Sequence, residues 1–106
     1  MIIRMAVLEG RVPEARRAAF DAHMASVVLP AIRRYPGLRD ARLRRPVEAD
    51  EGAPPVYMVF DLCFDDLQAM KAALASPVRQ EVRAVIAAGM GDFEGRVYHL
   101  VMEETR

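Results

Sequence analysis

The chain has 106 residues, 53% of them apolar, and its 15 basic and 15 acidic side chains cancel to a formal net charge of zero. Length and composition set a single domain over residues 1–106 with a modest core. The balanced charge argues against nucleic acid or an anionic membrane as partner, and no apolar run approaches the roughly 20 residues that span a bilayer.

Ile2 to Leu8 is β-branched-rich and reads as a strand, with Ile3, Met5 and Val7 on one face and Ile2, Arg4, Ala6 and Leu8 on the other. Gly10 to Pro13 is a loop. Pro13 and Glu14 suit the first turn of a helix that runs to about Tyr35. Phe20, Met24, Val27, Val28, Ala31 and Tyr35 form its apolar stripe. Pro30 removes an amide donor and crowds the Ser26 carbonyl, so a kink is expected there, and Pro36-Gly37 stops the helix.

Leu38 to Val47 reads as an edge strand, blunted by Arg39, Arg42, Arg44, Arg45 and Pro46. Glu48 to Pro55 is a polar hairpin loop. Val56 to Phe64 is the central strand: Val56, Met58, Phe60, Leu62 and Phe64 share one face, and Tyr57, Val59, Asp61 and Cys63 the other. Asp65 or Asp66 caps the next helix, with Gln68 at the capping-box position if Asp65 is the cap, and Leu67, Met70 and Leu74 form its stripe. Ser76-Pro77 caps another, with Val78, Val82, Val85 and Ile86 inward, ended by Gly89. Phe93 to Met102 is the last strand, with Val97, His99 and Val101 opposite Tyr98, Leu100 and Met102.

This order predicts an α+β, ferredoxin-like fold: a four-stranded antiparallel sheet with helices on one face. Three strands are apolar on both faces, yet the helices cover one. The bare face needs a second copy, so a homodimer with face-to-face sheets is expected.

The segment FDAH…LPAIRRYPGLR, Phe20 to Arg39, followed by Tyr57 and by DLCFDDLQAMKAALASPVRQ, Asp61 to Gln80, resembles the EthD-like proteins of the dimeric α/β-barrel superfamily. The PGLR turn and the acidic-apolar-apolar-Phe-Asp step before an Ala/Leu helix ending in SP are its most specific parts. The resemblance implies the fold, the dimer and a small-molecule pocket. The superfamily includes small cofactor-independent monooxygenases, lactone isomerases, polyketide cyclases and haem enzymes, and the namesake group is linked to ether degradation. The histidine that family commonly has two residues before the helix proline is Val28 here, and its often aromatic position 23 is His23. Asp61 matches the family's acidic strand position.

Asp61 is the most informative polar residue. A buried carboxylate needs a partner or a raised pKa. Arg4 on the neighbouring strand is the expected partner, and general base the functional alternative. His99 is either a hydrogen-bonded structural histidine or a pocket acid–base group. His23 is either a boundary residue of its helix or a pocket group one turn from the family's position. Asp61, His99 and His23 are therefore the catalytic candidates, and Tyr57, Met24, Phe60 and Arg4 the ligand-binding ones, for a small apolar or aromatic compound. The lone cysteine, Cys63, reads as packing and fits a reducing cytosol, and no secretory signal is apparent. The sequence carries no glycine-rich phosphate loop, GxSxG or HExxH, and the two histidines lack metal-ligand spacing. Any chemistry is expected to be oxidation, isomerisation or proton transfer without nucleotide or metal. A carrier without turnover is the other class of function this pattern allows.

Overall fold

The computed structural model describes residues 1–105. The elements are β1 (Ile2–Arg11), α1 (Glu14–His23), α2 (Leu29–Ile32), β2 (Leu38–Arg44), β3 (Val56–Phe64), α3 (Leu67–Leu74), α4 (Val78–Gly89) and β4 (Glu94–Glu103). A π-helical turn, Met24–Val28, joins α1 to α2, and a 3₁₀ turn, Met90–Asp92, follows α4. The four strands form one antiparallel sheet in the order β2-β3-β1-β4. The helices lie on one face, as the sequence implied.

Strand alternation sorts the sheet into two sets of rows. On the helix side, register aligns Leu43, Phe60, Ala6 and His99 in one row and Ala41, Leu62, Arg4 and Val101 in the next. Phe60, Leu62 and Phe64 meet Phe20, Met24, Val28, Ile32, Met70 and Val82 in a single core. On the outer side the rows are Arg44, Val59, Val7, Tyr98; then Arg42, Asp61, Met5, Leu100; then Asp40, Cys63, Ile3, Met102. No helix of the described residues packs there, and Leu100 and Met102 are 45% and 46% exposed.

Several local expectations shift, each for a physical reason. β1 continues to Arg11 because Gly10 and Gly95 face each other across β1 and β4. A Cβ on either would fall 2.1 Å from the opposing carbonyl oxygen, so only glycine permits this approach. The helix after Pro13 is interrupted by the π turn just ahead of Pro30, where an α-helical amide bond is lost anyway. The wider turn changes the phase of the stripe: Val28 is buried, whereas Val27 is 41% exposed. β2 ends at Arg44, short of Arg45-Pro46. Asp66 caps α3, its carboxylate accepting from the Ala69 amide at 2.8 Å, and Asp65 instead pairs with Arg39 at 2.9 and 2.8 Å. Leu67 is thereby left half exposed in the first turn, and Met70 and Ala73 carry α3's burial. Ser76 does not cap α4; its hydroxyl donates back to the Ala73 carbonyl at 2.6 Å and closes α3.

Candidate functional site

The π turn turns Met24 toward the sheet, and α4 lies alongside it. Between them and the β1–β4 edge of the sheet is a cavity of about 410 Å³. Its apolar wall includes Ala6, Leu8, Met24, Ile32, Phe60, Val82 and Ile86; its polar groups are His99, Arg79 and Arg83. The volume lies in the range of about 300–1,000 Å³ usual for small-molecule pockets. The sequence explains the geometry. Ala6 is the one small residue between Phe60 and His99 in its row, so the sheet floor dips where the helices cannot fill it.

His99 stands at the mouth. It lies on edge strand β4, so the residue remains exposed, while the part facing the cavity is desolvated. That desolvation, followed by the charges of Arg4 and Arg79, holds its pKa below the ordinary imidazole value. The imidazole is thereby kept neutral at pH 7, the form that accepts a proton. Arg4 sits in the adjacent row, half-buried between Leu62 and Val101. Burial first, then repulsion from Arg79, lowers its guanidinium pKa, against a smaller raising effect of Tyr35.

The structure brings together three of the seven expected site residues, His99, Met24 and Phe60, with Arg4 one row away. It puts the other three elsewhere. Asp61 is on the outer face, where Arg44 holds it with two hydrogen bonds of 2.6 and 3.0 Å. Its expected partner Arg4 is opposite Leu62 on β3 and so points to the other side of the sheet. His23 joins α1 to α4: its Nε2 lies 2.7 Å from the Val85 carbonyl oxygen, and its ring covers Gly89. Tyr57 is the extra residue of a bulge, because register passes from Leu8–Met58 to Glu9–Val56. The bulge turns Tyr57 to the helix side instead of the Asp61 face. There it packs edge-on against Phe20 at 5.6 Å and its hydroxyl donates to Asp21 at 2.6 Å. Burial first, then that bond, raises its pKa. Burial likewise pushes the Cys63 thiol up, as suits a packing residue.

Arg79 and Arg83 escaped the sequence reading. Their signal was present: two arginines one turn apart flanking Val82 and Ile86 on the inward stripe of α4. Among the described residues no group of three or more His, Cys, Asp or Glu is placed to hold a metal ion.

No family model matches this sequence, and no curated protein does. Solved structures do match. An EthD family protein from Bacillus halodurans superposes with a TM-score of 0.75 at 23% identity, over 99% of this chain and 100% of that one. A putative antibiotic biosynthesis monooxygenase from Deinococcus radiodurans gives 0.68 at 18%, over 100% and 94%. The fold is ferredoxin-like. A Streptomyces coelicolor monooxygenase solved with nanaomycin D has the same fold, with a TM-score of 0.68 at 16% identity over 99% of this chain and 88% of that one. At these identities the likeness is one of fold. No helix among the described residues is long and apolar enough to cross a membrane.

Proposed function

We propose that this ferredoxin-like chain works as a cytosolic homodimer that binds a small apolar or aromatic compound between sheet and helices, and that it acts on the compound as an oxidoreductase of monooxygenase type, or an isomerase, without a bound nucleotide. The observation that carries the reading is the apolar cavity with His99 at its mouth. Met24 and Phe60 bind the ligand's apolar body. His99, neutral near pH 7, removes a proton from the bound compound, and the resulting carbanion either is reprotonated at another carbon by the imidazolium, which isomerises the compound, or reacts with dioxygen as the oxidant, a CH2 group becoming a carbonyl while the second oxygen atom leaves as water with the two hydrogens. The monooxygenase names of several structures sharing this fold favour oxidation.

One observation favours the carrier reading instead. Val28, standing where the EthD-like pattern has a histidine, is fully buried in the core and offers no group to a ligand. Asp61 and His23 are also absent from the cavity, so acid–base work falls to one residue.

A screen of small aromatic compounds by NMR, following the Met24 methyl and the His99 ring, identifies ligands. With a turned-over ligand, His99→Gln is expected to lower kcat by at least about tenfold while dissociation constants stay within a factor of about two. The wild-type rate should rise with pH to a plateau, with its midpoint below the ordinary imidazole pKa, because desolvation lowers the pKa of His99. Full activity in His99→Gln excludes the assignment. Binding without any turnover establishes the carrier.

A further inference from the structure

From the charge around the cavity we infer that its ligand is an anion, an apolar molecule carrying one carboxylate, whose charge is received by Arg4, Arg79 and Arg83 beside His99. The inference rests on the pocket reading above and narrows its substrate class.

Arginine in this fold is normally paired. Eight ion pairs join Arg11, Arg16, Arg34, Arg39, Arg42, Arg44, Arg45 and Arg96 to carboxylates among the described residues. Among the described residues Arg4, Arg17, Arg33, Arg79 and Arg83 have no such partner; Arg17 donates to the Val12 carbonyl and Arg33 is exposed, whereas Arg4, Arg79 and Arg83 gather at one place. Arg79 and Arg83 line the cavity from α4, and Arg4 stands on the sheet floor one row from His99. Arg4 and Arg79 are half-buried. A guanidinium among apolar side chains loses hydration and regains it only from a hydrogen-bonding acceptor. The neighbouring acids do not supply one. Glu81 is engaged by Arg34 on the exposed side of α4, and Glu103, two residues beyond Val101, lines a separate cleft with Asp65 and Asp66. Apart from His99 the rest of the wall is apolar. A ligand that satisfies all of it has a hydrophobic body over Met24, Phe60 and Ile86 and one carboxylate toward the arginines, whose planar forks match that group.

The probes are 2-naphthoate and its uncharged isostere 2-naphthamide, titrated into the full chain while the Met24 methyl and His99 ring are followed by NMR. The naphthoate is expected to bind at least about tenfold more tightly, with an advantage that shrinks as salt is raised. Arg79→Gln and Arg4→Gln should each reduce the advantage to about twofold or less, while Arg42→Gln, an exposed arginine on the opposite face of the sheet, preserves it. Arg79 is on a half-exposed helix position, so its variant gives a folded test even where Arg4→Gln disturbs the sheet. Equal binding of both compounds at these signals overturns the anion assignment and leaves the pocket standing. Failure of both to perturb Met24 and His99 at millimolar concentration overturns the pocket and this inference together. An advantage that survives both arginine variants also overturns it.

Discussion

At the scale of single residues, the sheet keeps two charged systems apart by alternation alone. Asp61 and Arg4 are on adjacent strands, yet register sets Asp61 opposite Met5 and Arg4 opposite Leu62, on opposite faces. Their separation assigns Asp61 to Arg44 and leaves Arg4 to the cavity. The Asp61 carboxylate is only 8% exposed, but the Arg44 side chain is 55% exposed. Breaking a fully buried pair costs about 3–5 kcal/mol, and an exposed pair is worth about 0–1. Arg44→Met should therefore cost an intermediate amount, about 1–2 kcal/mol, and Asp61→Asn/Arg44→Met should recover part of it. Urea unfolding of the four proteins in a double-mutant cycle checks this; an absence of coupling between Asp61 and Arg44 would contradict the assignment. The burial of Asp61 was legible in its strand, since every neighbour there is apolar. Its partner was not, because face and register both had to be known, and the register depends on a loop, Glu48 to Pro55, whose length the pattern does not constrain. The same limit hid the cavity arginines: periodicity places Arg79 and Arg83 near the apolar stripe of α4, but only packing shows that the sheet opposite them recedes at Ala6.

At the scale of elements, strands and helices were legible because their periodicities are long and their ends carry proline, glycine or aspartate. Departures arise where one residue is inserted. The bulge at Tyr57 and the π turn at Met24–Val28 each add a residue to a regular repeat, and neither alters the apolar pattern enough to be seen beforehand. Both affect function, since the π turn aims Met24 into the cavity and the bulge takes Tyr57 away from Asp61. Docking of α1 on α4 depends on a third local feature. A Cβ on Gly89 would lie 2.2 Å from Cδ2 and 2.6 Å from Nε2 of His23, the ring held at the Val85 carbonyl. Alanine ordinarily improves a helix by about 1 kcal/mol over glycine. Here overpacking reverses the sign: Gly89→Ala is expected to destabilise by about 1–3 kcal/mol. In a His23→Ala background the same change should become neutral or stabilising. Thermal melts of the two single variants and the double variant measure this, and a Gly89→Ala protein more stable than the parent would show that His23 does not clamp the two helices.

At the scale of the whole molecule, the outer face of the sheet is the feature that a single chain leaves unresolved. Its rows hold Val59, Val7 and Tyr98, then Met5 and Leu100, then Cys63, Ile3 and Met102, with no helix of the described residues over them. Val7 and Cys63 are already buried by their neighbours, whereas Leu100 and Met102 on the β4 edge are nearly half exposed. The paired charges Asp61–Arg44 and Asp40–Arg42 lie on the opposite, β2 side of this face. An apolar edge and a charged edge on one surface suit an isologous contact, in which a two-fold axis lays the apolar rows of one copy across those of the other. Apolar area is then removed from water on both chains, while the ion pairs stay at the rim, where they retain their hydration. Light scattering behind size exclusion at micromolar concentration is therefore expected to give twice the 11.9 kDa chain mass. Leu100→Asp puts a carboxylate on this surface opposite Met5, whose helix-side neighbours are untouched. The variant should fall to the mass of one chain with its far-ultraviolet dichroism unchanged, because the core on the other side of the sheet is intact. Leu67→Asp, at a similarly exposed apolar site on α3, serves as the control and should leave the dimer whole. A parent protein that elutes and scatters as a single chain, or a Leu100→Asp dimer as tight as the parent, would mean that this face is not where two copies meet.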